Sequence, residues 1–86
     1  METQDRTEWF RFYLSPADQT RFGFNWRMAS MQRGVPVGEA LLKRAEGDKD
    51  IYYIPPAIAR SFPDFFLGYE LEPCHPPDPK SVSTVG

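Results

Sequence analysis

A chain of 86 residues has room for one hydrophobic core, since a protein this short buries only about 60–65% of the surface it exposes when unfolded; two independent domains are therefore excluded. Cys74 is the only cysteine, which excludes a disulfide scaffold and suits a reducing, cytoplasmic setting, so the packing bulk must come from the aromatic residues, at 15% of the chain. The net charge of −2 argues against a strong, sequence-independent nucleic-acid binder, whose domain would be distinctly basic.

Neither a membrane span nor a leader is expected: no apolar run approaches about 20 residues, and the opening METQDRTE is polar. Residues 1–7 read as a polar arm, 8–72 as a single globular domain and 73–86 as a proline-rich tail.

The domain opens with an alternation from Glu8 to Leu14 that sets Phe10, Phe12 and Leu14 on one side and Trp9, Arg11 and Tyr13 on the other. This two-residue period predicts a strand. Ser15-Pro16-Ala17-Asp18 predicts a turn or a single helical turn, with Ser15 able to cap and Pro16 suited to a first helical position. A second alternation over 20–28 has Phe22, Phe24, Trp26 and Met28 against Arg21, Gly23, Asn25 and Arg27, which predicts a second strand and hence an N-terminal hairpin.

Gly34 and Pro36 close the hairpin, and Val37, Ala40, Leu41 and Ala45 stand at helical spacing, with Glu39 at the start, Lys43 and Arg44 at the end and Gly47 after the C-cap. A short helix is expected there. Ile51 to Ile54 predicts a strand stopped by Pro55-Pro56, and one or two helical turns are expected over 57–62. A last alternation over 64–72, with Phe65, Leu67, Tyr69 and Leu71 inward and Phe66, Glu70 and Glu72 outward, predicts a fourth strand. The proline-rich tail is expected to be extended or disordered and dispensable for folding. The fold class is therefore α+β: a small antiparallel sheet of three or four strands with one main short helix on one face.

Catalytic and metal-binding residues are sparse. The one histidine, His75, adjoins Cys74 on an extended stretch, where neighbouring side chains diverge and form no nucleophile–base pair. Two such ligands fall short of a structural zinc site. Glu46, Asp48 and Asp50 alternate like calcium ligands, but the downstream glutamate of such a loop is missing. No glycine spacing fits a phosphate loop. No cofactor is expected.

The outer face of the expected hairpin gathers Trp9, Arg11, Tyr13, Arg21, Asn25 and Arg27. Tryptophan, tyrosine and arginine are enriched at binding hot spots, although cross-strand aromatic–arginine pairs also stabilise ordinary sheets. A second candidate surface holds Tyr52, Phe66, Glu70 and Glu72. These residues point to a non-catalytic interaction protein: an adaptor, regulator or inhibitor of the size that phages and mobile elements encode, binding a larger protein partner. The alternative is a single-stranded nucleic-acid binder that stacks bases on the arginine–aromatic face.

Overall fold

The first strand forms where the alternation predicts it, as β1 (Trp9–Leu14), in a computed structural model that describes residues 8–85. The expected arm over 1–7 lies outside the described residues. The expected hairpin does not form, because residues Pro16–Arg33 make one long helix, α1. Pro16 occupies its first turn, where no intrahelical N–H is required, and the Ser15 carbonyl accepts from the N–H groups of Asp18 and Gln19 at 3.0 and 3.1 Å. Asp18 complements the positive end of the helix dipole and Arg33 the negative end. Gly34, at φ 80°, closes the helix by donating its N–H to the Ser30 carbonyl at 2.8 Å. The alternation over 22–28 is in fact two interleaved four-residue spacings: Phe22 and Trp26 turn inward and are buried, while Phe24 and Met28 turn outward.

The helix expected near 37–45 is likewise corrected. Residues 34–41 form a loop in which Val37 is fully exposed and Leu41 is buried, and β2 (Leu42–Glu46) begins directly after it. β2 turns through Gly47-Asp48 into β3 (Lys49–Ile54), with Glu46 opposite Lys49. Gly47 adopts φ 64°, so it makes a tight hairpin turn and not a helix end. Pro55 and Pro56 start α2 (Pro56–Ser61), close to the expected helical turns.

Residues 63–68 make consecutive turns where a fourth strand was expected. Phe65 N–H donates to Phe62 and Tyr69 N–H to Phe66, each at 3.2 Å. Phe66 is buried and Leu67 exposed, the reverse of the expected alternation. Extended pairing resumes only at β4 (Glu72–Cys74), and the chain ends its described course in a 3-10 turn (Pro79–Ser81) and β5 (Ser83–Thr84). The C-terminal segment is therefore not a loose tail. It supplies both edge strands, β4 beside β1 and β5 beside β2, and Val85 donates its N–H to Leu41 at 2.8 Å while packing on the core. Pro73 is tolerated because β4 is an edge.

The result is α+β, as the composition and periodicity predict, with five strands in the order β4-β1-β3-β2-β5, every neighbouring pair antiparallel. Phe12, Leu14, Tyr52 and Ile54 project from one sheet face into a core completed by Phe22 and Trp26 of α1, Ile58 of α2, and Phe62 and Phe66. Aromatic rings dominate it: Phe12 lies 5.4 Å from both Phe22 and Tyr52, and Trp26 lies 4.8 Å from Phe62 and 5.4 Å from Phe65. Such pairs add about 0.5–1.5 kcal/mol each beyond the area they bury. Arg33 fastens α1 to α2, donating to the Ser61 carbonyl at 2.9 Å with its guanidinium 5.5 Å from the Phe62 ring.

Candidate protein-docking surface

Because residues 16–33 form a helix, the six residues expected on one hairpin face fall on two different surfaces. Trp9, Arg11 and Tyr13 lie on the sheet face that α1 and α2 leave uncovered, in register with Cys74, Glu72, Tyr53 and Ile51 of the neighbouring strands. Arg21, Asn25 and Arg27 are exposed on α1, on the other side of the sheet. The second expected surface does not form, since Tyr52 and Phe66 belong to the core.

On the open sheet face, Arg11 bonds Glu72 through Nε at 3.0 Å across the β1–β4 edge. This hydrogen bond raises the Arg11 pKa further. On the far side of β3, Arg44 pairs with Glu46 at 3.5 Å and holds its guanidinium 5.9 Å from the Tyr53 ring. Ile51 and Tyr53 are buried on this face although no described helix covers it; they sit on the central strand, with Arg11, Tyr13, Leu42 and Arg44 as cross-strand neighbours. The face is thus a closed weave with each of these two arginines matched to a carboxylate.

α1 presents a different surface. Beside the buried stripe of Phe22 and Trp26 runs a second apolar stripe of Phe24, Met28 and Met31, at positions i, i+4 and i+7, with exposures of 63%, 45% and 74%. At 100° per residue these three side chains point about 200° from Phe22, directly away from the core. Arg21 and Arg27 flank them, one on each side, and no acidic residue falls between the two arginines around that arc. Phe24, Met28 and Met31 form an exposed stripe that the two-residue period hides; their four- and three-residue spacing is the signal that marks it.

Two clefts adjoin the helix. One, of about 560 Å³, lies between α1, the end of β1 and residues 68–72; Asp18, Arg21, Lys49, Tyr69 and Glu70 line it, with Phe12 and Phe22 at its floor. Burial raises the Tyr69 pKa, with Asp18 adding to the rise and Arg21 opposing it. The other, of about 300 Å³, runs along Gly23, Trp26 and Arg27 beside Leu41 and Val85. Cys74 is half-buried, and burial pushes its pKa up, with Arg11 opposing and Glu72 adding, which disfavours the thiolate. Among the described residues no three histidine, cysteine or acidic side chains converge on a metal position, and no helix is long and apolar enough to cross a membrane. Comparison with protein-family models, with curated proteins and with solved structures finds no match to this chain.

Proposed function

We propose that this chain is a non-catalytic interaction protein that docks through the outer face of α1 on a larger protein partner, as an adaptor, regulator or inhibitor. One observation carries the reading: three large apolar side chains share an outward stripe on a helix whose core-facing needs Phe22 and Trp26 already meet. Contiguous exposed apolar surface rimmed by polar groups marks interaction sites, and methionine suits such surfaces because its unbranched chain adapts to the surface it meets. Arg21, Asn25 and Arg27 keep the binding role expected of them, now as the rim of this stripe. The non-catalytic part of the reading rests on the disfavoured thiolate at Cys74 and on the place of Cys74 and His75, which are not among the residues that line the larger cleft. A cytoplasmic location accords with the single unpaired cysteine.

Of the six residues on which the nucleic-acid alternative was expected to rest, only Trp9, Arg11 and Tyr13 lie on the open sheet face, which Arg44 shares. Those arginines are matched to Glu72 and Glu46, which weakens the attraction for phosphates that such binding requires. Co-purification from native extract tests the lead reading when the wild-type chain is compared with Phe24→Glu and Met28→Glu. A partner retained by wild type and lost by both variants, with their melts unchanged, supports the α1 surface. Equal retention by all three chains refutes it.

A further inference from the structure

The outer face of α1 has a seven-residue repeat. Written as a heptad, Arg21 and Met28 take position a, Phe24 and Met31 take position d, and Arg27 takes a flanking g position, with Asn25 and Gln32 at e. The spacing is that of one side of a helix–helix seam, and its apolar residues are exposed.

A second copy of the chain fits this seam poorly. An antiparallel pair centred on Met28 brings g against g, so Arg27 meets its own counterpart beside the axis; a parallel pair brings a against a, so Arg21 meets Arg21 inside the seam. Like charges at either place oppose association. The stripe therefore suits a different chain better than a second copy. The arc between Arg21 and Arg27 holds no carboxylate, and those that share a cleft with the two arginines, Asp18, Glu70 and Glu72 with Arg21 and Glu39 with Arg27, lie outside it, so on the stripe side both arginines are open to a partner's carboxylates.

Resting on the reading of α1 as a docking surface, we infer that its occupant is an amphipathic helix of the partner protein, with apolar residues on its seam and aspartate or glutamate at the flanking positions. Such a helix lays its apolar residues on Phe24, Met28 and Met31 and sets carboxylates against Arg21 and Arg27.

The test uses two synthetic amphipathic peptides of about three heptads, each with leucine at a and d, one with glutamate and one with lysine at e and g. Fluorescence anisotropy with the full chain should show the glutamate peptide binding and the lysine peptide at least about tenfold weaker. Arg27→Glu should erase that difference, since Arg21 then stands opposite in charge to position 27, and Met28→Glu or Met31→Glu should abolish binding while the thermal melt stays in place. Sedimentation should show the free chain as a monomer. Equal binding of both peptides, binding of neither, or a difference unchanged by Arg27→Glu overturns the inference, as does a dimer that Met28→Glu dissolves. If Phe24→Glu and Met28→Glu still release a captured partner while the peptides fail to discriminate, the docking surface stands and only the acidic helix falls.

Discussion

Phe24 and Trp26 stand two residues apart on α1, yet one is 63% exposed and the other 5%. Trp26→Ala removes a ring packed on Phe62 and Phe65 and should cost about 3–5 kcal/mol in urea unfolding. Phe24→Ala should cost under about 1 kcal/mol, because its side chain leaves little cavity behind. Equal losses would mean that the outer stripe packs against something in the free chain. Titration offers a second check at this scale. Burial raises the pKa of the Tyr52 phenol, helped by Asp50, and raises that of Tyr69. A phenol with a raised folded-state pKa ionises first in the unfolded chain, so its contribution is fully present below about pH 10 and is lost as pH climbs through the folded-state value. Urea midpoints measured between about pH 8 and 11 should fall from near pH 10 upward, and Tyr69→Phe should flatten that fall. A profile identical in the variant would show that Tyr69 titrates as freely folded as unfolded.

Elements depend on turns and edges that contribute few side chains to the core. The β2–β3 hairpin turns on Gly47 at φ 64°, a conformation that costs residues with a Cβ about 1–2 kcal/mol. Since nothing crowds the Cβ position of Gly47, Gly47→Ala should destabilise by this backbone amount alone, read as a lower urea midpoint at unchanged slope. β5 is only two residues long, yet it pairs with Leu42 and Lys43 and seats Val85 beside Leu41. Removing residues 82–86 should therefore lower the melting temperature by about 4–8 °C for each kcal/mol lost, within a total of about 1–3 kcal/mol. An unchanged melt would show that the edge pairing contributes nothing to stability, as expected of a loose tail.

Across the whole molecule, the sheet has one face under the helices and one face closed by its own long side chains, and α1 carries apolar residues on two sides. Stability and binding should therefore separate. Replacing Phe24, Met28 and Met31 together by glutamine should keep the melt within a few degrees of wild type and abolish partner retention. On the open sheet face, Arg11→Ala breaks a solvent-screened ion pair that contributes little to folding, and it should leave partner retention intact. Loss of the partner with Arg11→Ala but not with the triple variant would move the interface to the sheet.

The sequence by itself determined β1, β3, the short α2 and the α+β class, because each of those segments has one periodic reading and a proline or turn that ends it. It also determined that aromatic rings build the core, since nothing else in 86 residues has the bulk. Only the tertiary structure decided between strand and helix over 16–33. Apolar residues at 22, 24, 26 and 28 satisfy a two-residue period and, equally, two four-residue spacings, and the arrangement that buries Phe22 and Trp26 beneath Phe62 and Phe65 selects the second. That choice split the expected site, left Arg21, Asn25 and Arg27 on the helix and exposed Phe24, Met28 and Met31. The same dependence explains residues 42–46 and the C-terminal edges: a helical spacing or a proline-rich run becomes a strand where a neighbouring strand offers its free N–H and C=O groups, and pairing across the chain is not written in local periodicity.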